Sequence, residues 1–252
     1  MQKTLLTAAV GFCLSLTSWA GKIAVFGDNA TDDFLTSLGH TVTLVSDAQL
    51  ATPGFLNSFD LFYMTRDGSL SGTGLSAAAA ANVYSWVQGG RFVLLNADFA
   101  DGIGDPTIDL LTANAVNWVL AGGSRGFIGE FNGSVSALTA NSQGWVPIGI
   151  VAGSAGPLGY LKGGSGTNLW VVQPWHPVMA GLPSSFDPQA VEFGSALTGV
   201  DPALVVAAFG ADGPEYPGVI AGVAGAAPIP EPGTFTLLGV GLVTLVLARR
   251  RR

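Results

Sequence analysis

Cysteine and histidine are the scarcest reactive residues in this sequence of 252 residues. The single cysteine is Cys13, near the N-terminus, and the only histidines are His40 and His176. If the N-terminal segment is removed, the remaining chain has no disulfide, no cysteine-ligated zinc and no cysteine nucleophile. Two histidines are also too few for a histidine-rich metal site.

Charge is scarce as well, and basic residues are the scarcest. Charged residues make up 11% of the chain and hydrophobic residues 48%, which excludes a disordered polar protein. Between positions 21 and 230, five basic residues face sixteen acidic ones, a balance of −11. Such a surface repels nucleic acid and anionic lipid, so we expect no nucleic-acid partner. The same balance fits either attraction of divalent cations or the simple solubility of an extracytoplasmic protein.

The N-terminus has the three parts of a secretory signal peptide. Lys3 supplies a positive charge, an apolar run extends from Leu5 to Leu16, and Ser18 and Ala20 are small residues at the positions that a signal peptidase reads. We therefore predict a signal peptide over residues 1–20, exported by the Sec machinery and cleaved after Ala20. An uncleaved anchor is the alternative, for which the apolar run is short.

The C-terminus has three elements in series. Residues 225–233 are a linker rich in proline and glycine, residues 234–248 are apolar, and residues 249–252 are four arginines. A helix from Gly233 to Ala248 would be about 24 Å long at ~1.5 Å per residue. That is short for a bilayer core, although flanking arginines extend the reach. We predict a transmembrane segment at 234–248, with the arginines in the cytoplasm.

The tail resembles a known sorting signal. Pro230, Glu231 and Pro232, followed by a short hydrophobic helix and a terminal arginine cluster, resemble the PEP-CTERM signal of exported proteins in Gram-negative bacteria that make exopolysaccharide. The resemblance implies that an exosortase recognises these three residues and processes the protein near its tail. It also implies transit through the inner membrane to the cell surface or the medium. A plain tail anchor behind a proline-rich linker is the alternative.

Between the two signals, residues 21–224 alternate between strand-like and helix-like segments. The predicted strands cover 22–26, 41–45, 60–64 and 91–95, and the predicted helical segments cover 32–39, 55–59, 75–88 and 108–120. This alternation predicts an α/β ectodomain with a flavodoxin-like, mostly parallel sheet and helices on both faces. Later candidate strands lie at 134–138, 145–151, 169–172, 203–209 and 218–223. These later strands either complete the sheet or form an antiparallel lobe.

Five passages of this region resemble the class I glutamine amidotransferase-like fold, in its ThuA-like branches. They lie at 22–26, 39–45, 59–64, 87–95 and 176–183. Working members of that family place a cysteine at the turn after the fourth strand, where this sequence has Asn96, Ala97, Asp98 and Phe99. No nucleophilic triad is possible around that turn, so the resemblance implies a domain without amidotransferase chemistry.

The densest polar cluster follows the fourth predicted strand, where ligands bind in open α/β sheets. We predict a ligand or metal crevice at this edge, and its oxygen-rich character suits Ca²⁺. The predicted crevice residues are Asp28, Asn96, Asp98, Asp101, Asp105 and His176. Helix capping is the alternative, because an Asp-Pro pair such as Asp105-Pro106 is an ordinary start of a helix.

Two functional hypotheses follow. The first is an exported, anchored or exosortase-processed surface protein whose non-catalytic domain is a binding or structural component associated with exopolysaccharide. The second is an extracytoplasmic hydrolase or carbohydrate-active enzyme that uses the acidic crevice, with or without Ca²⁺. Some aromatic residues would either stack on sugar rings or pack in the protein. They are Trp145, Trp170, Trp175 and Tyr160.

Overall fold

The computed structural model describes residues 20–27, 29–65, 75–123, 125–130, 154–156, 161–162, 167–188, 192–193 and 196–225. The predicted signal peptide cleavage site is therefore just inside the described residues, at the exposed Ala20. No helix within these ranges has the length and apolar character needed to cross a bilayer. The predicted transmembrane segment at 234–248 lies outside them.

The first half of the chain follows the predicted alternation of strands and helices. The strands are β1 (Lys22–Phe26), β2 (Thr41–Leu44), β3 (Leu61–Met64) and β4 (Arg91–Leu95). The helices are α1 (Asn29–Ser37), α2 (Asp47–Leu50), α3 (Ala77–Val87) and α4 (Pro106–Leu120). The short helix α2 was not predicted, and Ser46 and Gln49 form a capping box at its start. The crossover at Phe55–Ser58 is a 3₁₀ turn.

The remaining strands are mostly short. They are β5 (Ala97–Asp98), β6 (Gly126–Glu130), β7 (Ser154–Gly156), β8 (Leu161–Lys162), β9 (Asn168–Val171), β10 (Ser185–Phe186), β11 (Glu192–Phe193), β12 (Ala196–Thr198), β13 (Val205–Gly210) and β14 (Tyr216–Val223). Further 3₁₀ turns lie at Ala100–Gly102, Pro177–Met179 and Pro202–Leu204. The predicted strands at 134–138 and 145–151 lie outside the described residues.

Nine of the described strands form one sheet in the order β10-β9-β13-β14-β4-β6-β3-β1-β2. The strands from β4 to β2 in this order are parallel, and the remaining neighbours pair antiparallel. The prediction of a mostly parallel sheet is therefore wrong for half of the strand pairings in this sheet. The later strands β9, β10, β13 and β14 complete the sheet with antiparallel pairings. Smaller sheets join β5 with β11 and β8, and β7 with β12.

Strand β6 lies between β3 and β4, although it follows both in the chain. Phe127 is in register with Phe62 of β3 and Phe92 of β4, and its ring stacks on Phe62 at a centroid distance of 5.7 Å. The sequence analysis did not predict this strand. It is nevertheless buried along its whole length, and it joins β4 to β3 within the parallel part of the sheet.

Helices cover both faces of the sheet, as predicted. Alternate strand residues point to opposite faces, so Ile23 and Val25 pack on one side and Ala24 on the other. Helices α1 and α4 pack on the first side, and α2 and α3 pack on the second. The result is a three-layer α/β/α arrangement with an apolar core on each side of the sheet.

The parallel strands define two edges of the sheet. We call the edge at which β1, β3, β4 and β6 begin the amino edge, and the opposite edge the carboxyl edge. The described chain both begins and ends at the amino edge. The Gly21 carbonyl accepts a hydrogen bond from Thr41 N just before β1, and Val223, at the end of β14, pairs with Arg91, at the start of β4.

Gly126 allows β6 to pass close to helix α4. A Cβ at this position would clash with Cγ1 of Val119 in α4. We expect Gly126→Ala to lower the free energy of unfolding by ~1–3 kcal/mol, because a methyl group forced into a packed core displaces its neighbours. Urea denaturation measures the change. Gly213→Ala is the matched control, because nothing lies within 4 Å of a Cβ there. An equal effect of both substitutions would contradict the packing account.

Candidate functional site

The carboxyl edge holds a buried cluster of polar side chains from three neighbouring strands. Tyr63 lies in β3, Glu130 ends β6, and Asn96 and Asp98 follow β4. Their exposed fractions are 0% for Tyr63 and Asn96, 1% for Glu130 and 2% for Asp98. Because buried polar groups are costly without partners, the contacts that these side chains make decide their role.

Glu130 is held at both of its carboxylate oxygens. Tyr63 Oη donates to Glu130 Oε1 at 2.7 Å, and the backbone N–H of Ala100 donates to Oε2 at 3.0 Å. The pKa of Tyr63 is raised well above its usual value, first by burial and then by the negative charges of Glu130 and Asp98. The phenol therefore stays a neutral donor, and the pair joins β3, β6 and the segment after β4.

Asn96 occupies the turn at which the resemblance would require a nucleophile. Its Nδ2 donates to the carbonyl of Pro217 at 2.9 Å, and its backbone N–H donates to the carbonyl of Gly218 at 2.8 Å. Both contacts connect the end of β4 to β14. Asp98, two residues later, is in register with Glu192 of β11. The segment after β4 is thus built into sheet structure.

Asp105 is a helix cap, the alternative that the sequence analysis had left open. Its Oδ1 accepts hydrogen bonds from Thr107 N at 2.8 Å and Ile108 N at 3.3 Å, and Pro106 occupies the first turn of α4. Asp109 Oδ1 accepts from Gly104 N at 2.9 Å in the same turn. Asp101 is exposed in the 3₁₀ turn at 100–102, and Asp28 lies outside the described residues. Within the described ranges, no group of three or more His, Cys, Asp and Glu residues is arranged to hold a metal ion.

His176 does not belong to the carboxyl edge. Its ring packs on Trp118, near the end of α4, at a centroid distance of 4.9 Å, and Arg91 lies 5.0 Å from the same Trp ring. Arg91 begins β4 and Asn96 follows it, so the two edges are separated by roughly 16 Å at ~3.3 Å per strand residue. The structure therefore separates His176 from Asn96 and from the other predicted crevice residues that it describes, Asp98, Asp101 and Asp105.

Both histidines accept hydrogen bonds from the backbone. His40 Nδ1 accepts from Gly21 N at 3.2 Å, which ties the start of β1 to the turn before β2. His176 Nδ1 accepts from Val178 N at 3.3 Å and caps the turn at 177–179. Burial lowers the pKa of His40, and burial followed by the charge of Arg91 lowers that of His176. Both rings are therefore neutral structural acceptors.

The predicted aromatic residues have separate roles. Trp170 Nε1 donates to the carbonyl of Gly210 at 2.9 Å and so braces β9 against the end of β13. Trp175 is 76% exposed. Trp145 and Tyr160 lie outside the described residues. Of these four residues, Trp170 therefore supports packing, and Trp175 is exposed and could stack on a ligand.

Sequence reasoning missed Tyr63 and Glu130, which organise the carboxyl edge. A signal was present, because Glu130 ends a short apolar run directly after helix α4. A polar residue at that point is typical of a parallel strand that ends at the carboxyl edge. The run Gly126–Glu130 has two glycines among five residues, and this composition hid the strand.

The comparisons with known proteins concern the tail. Residues 228–252 match the family model of the PEP-CTERM protein-sorting motif. No curated protein and no solved structure matches the chain, and the amidotransferase-like resemblance of the ectodomain has no support there.

The motif assigns the chain to a class by its destination. It marks an exported protein that is directed to the cell surface and processed by an exosortase. The chain ends in this PEP-CTERM motif, with Pro230, Glu231 and Pro232 near its start, as the sequence analysis predicted.

The lowered histidine pKa values predict a loss of stability on acidification. Because the folded-state pKa of each histidine lies below its unfolded value of ~6.5, the unfolded chain takes up protons first as the pH falls. The stabilisation that each neutral histidine contributes to the fold is present above pH ~6.5 and is lost as the pH falls through the lower folded-state pKa. We expect the melting temperature to fall between about pH 7 and pH 5. The double variant His40→Asn/His176→Asn should flatten this part of the curve, since an amide oxygen accepts at any pH. If the melting temperature of the double variant fell with pH as steeply as that of the wild type, the role assigned to the two histidines would be contradicted.

The Tyr63–Glu130 contact predicts strong coupling between the two side chains. We expect Tyr63→Phe to cost ~1–3 kcal/mol of unfolding free energy, because it leaves a buried carboxylate with one donor fewer. Glu130→Gln should also be destabilising, because the amide has one acceptor oxygen and its NH2 group would face either the Tyr63 hydroxyl or the Ala100 N–H, which both donate to the carboxylate. In a double-mutant cycle measured by urea denaturation, the coupling energy should be ~0.5–3 kcal/mol. Additive single effects would show that the contact is energetically unimportant.

Proposed function

We propose that this protein is a non-catalytic binding or structural component of the cell envelope, delivered to the surface through its PEP-CTERM tail. The observation that carries the proposal is that the described polar side chains Asn96 and Glu130 at the carboxyl edge are engaged in hydrogen bonds within the fold. The Asn96 amide binds Pro217 and the Glu130 carboxylate binds Tyr63 and Ala100, so both groups support the fold. The turn after β4 has no cysteine or serine. Association with exopolysaccharide is part of the proposal and rests on the tail alone.

The proposal includes a doubly wound, flavodoxin-like origin for the first half of the domain. Strands β2, β1 and β3 follow each other in the order typical of that fold, with a switch point between β1 and β3. The fourth and fifth parallel strands, β4 and β6, are exchanged relative to the flavodoxin-like order. This exchange favours a distant relation, at most, to the amidotransferase-like proteins.

The termini of the domain support a defined orientation during sorting. Pro230 follows Gly225 by five residues, which span at most ~18 Å when fully extended. Gly225 follows β14, whose end is anchored at the amino edge by the hydrogen bonds Gly89 N to Ala224 O and Ala224 N to Gly90 O. In the proposed transit state, anchored in the inner membrane, the amino edge faces the membrane and the exosortase. The carboxyl edge then faces away.

The short spacer gives a test of this arrangement. We expect deletion of residues 226–229 to impair processing, because Pro230 would then follow the folded domain directly and the protease would collide with the sheet. Intact-protein mass spectrometry of the protein from its native host distinguishes the processed from the unprocessed form. Replacement of the same four residues by Gly-Ser-Gly-Ser is the matched control and should be processed normally. Normal processing of the deletion variant would refute the steric argument.

A hydrolase that uses the carboxyl edge is the second candidate. Glu130 and Asp98 are two buried carboxylates whose charges both act on Tyr63, and paired carboxylates perform acid–base work on glycosides. The double variant Asp98→Asn/Asp101→Asn distinguishes the binding protein from the hydrolase. A binding protein should retain its ligand affinity in that variant, whereas an enzyme should lose turnover with its melting temperature largely preserved.

A further inference from the structure

A cleft at the amino edge lies apart from the predicted crevice. It is formed between the end of α2, the 3₁₀ turn at 55–58 and the second half of α3, and its volume is about 230 Å³. At ~30 Å³ per water molecule, this is room for about eight waters. Drug-sized ligands occupy roughly 300–1,000 Å³, so the cleft suits a smaller molecule. Its lining includes Thr52, Phe55, Asn57, Asn82, Trp86 and Arg125.

Arg125 is the unusual member of this lining. Its φ is 72°, and it is the only residue other than glycine with a positive φ within the described ranges. Its carbonyl oxygen packs so closely on Gly90 that a Cβ there would clash with it. Glycine would adopt this conformation without strain, and an arginine held in it is a sign of a functional constraint.

The guanidinium of Arg125 is available to a ligand. The side chain is exposed, and within the described residues it has no ion pair or side-chain hydrogen bond. Arg91 differs in this respect, because its Nη1 donates to the carbonyl of Trp118 at 2.8 Å. A free guanidinium presents a planar set of N–H donors that matches a carboxylate.

The other lining groups suit a hydroxylated molecule with an apolar face. Asn82 Nδ2 donates to the Leu50 carbonyl at 3.0 Å, which leaves its Oδ1 as an acceptor for ligand hydroxyls. Thr52 Oγ1 donates to the Ala48 carbonyl at 3.1 Å and keeps its acceptor capacity. Phe55 and the largely buried Trp86 provide aromatic surface for C–H groups of a ring.

We propose that this cleft binds a small polyhydroxylated carboxylate, the chemistry of a single sugar-acid unit, with Arg125 as the anchor of the carboxylate. The proposal rests on the binding role proposed above and names its site and ligand class. One cation in the cleft matches one carboxylate. The surrounding balance of −11 between positions 21 and 230 disfavours ligands with several negative charges, such as nucleotides.

The first measurement compares three probes on the full-length chain in detergent micelles. Isothermal titration calorimetry with sodium D-glucuronate should show saturable binding. D-Glucose lacks the carboxylate and acetate lacks the hydroxyls, so each should bind at least about tenfold more weakly. The absence of saturable glucuronate binding, or equal binding of glucose, would overturn the proposal.

The second measurement separates ligand recognition from stability. Arg125→Gly removes the guanidinium and relieves the positive φ, so binding should fall at least about tenfold while the melting temperature stays equal or rises. Lys22→Gln is the matched control, because it removes one exposed positive charge at the same edge and should leave binding unchanged. Arg125→Lys keeps the charge without the planar fork and should give an intermediate affinity.

The outcomes also distinguish this inference from the proposed function. Undiminished binding by Arg125→Gly, or a large loss of its melting temperature, would overturn the role of Arg125. If glucuronate does not bind but the protein is still sorted and lacks turnover, the inference fails and the proposed function stands. If turnover of the probe is found, the non-catalytic function fails as well.

Discussion

The position of β6 is the constraint on which the rest of the structure depends. This strand pairs with β3 on one side and β4 on the other, so the β1–β2–β3 half reaches the remaining strands only through it within the described sheet. Three features make the insertion possible. Gly126 leaves room beside Val119 of α4, Phe127 stacks on Phe62, and Glu130 bonds to Tyr63 where the strands end. Backbone pairing, core packing and the hydrogen bond of the buried Glu130 carboxylate therefore all stabilise β6 between β3 and β4.

The two edges of the sheet have different characters as a consequence. At the carboxyl edge, Asn96 and Glu130 are held by hydrogen bonds to β14, to β3 and to the turn after β4. At the amino edge lie the first and last described residues, the Arg91–Trp118–His176 stack and the cleft beside Arg125. Ligands of open α/β sheets usually bind at the carboxyl edge. The cleft beside Arg125 lies instead at the amino edge, where the described chain ends.

Several local predictions were confirmed and several non-local ones were not. Strands β1, β3 and β4 and helices α3 and α4 were predicted to within a few residues, because apolar runs and caps such as Asp105-Pro106 are contiguous signals. The predicted ligand or metal crevice stays a prediction. Asn96 and Asp98 lie at the expected edge, Asp105 is a cap, and His176 lies at the opposite edge. Which residues meet depends on the order of strands, and that order depends on pairings between distant segments.

The sequence by itself determined the cell-surface destination of the protein and excluded cysteine-based chemistry from the residues after Cys13. The PEP-CTERM motif at 228–252 and the lack of any cysteine after Cys13 are properties of contiguous residues and composition, which need no tertiary contact to be recognised. Only the tertiary structure decided that β6 lies between β3 and β4 and that Tyr63 donates a hydrogen bond to Glu130 at the carboxyl edge. Tertiary packing also holds Arg125 in a left-handed conformation beside a cleft. These features arise from long-range pairing and burial, whose free energy comes from residues far apart in the chain.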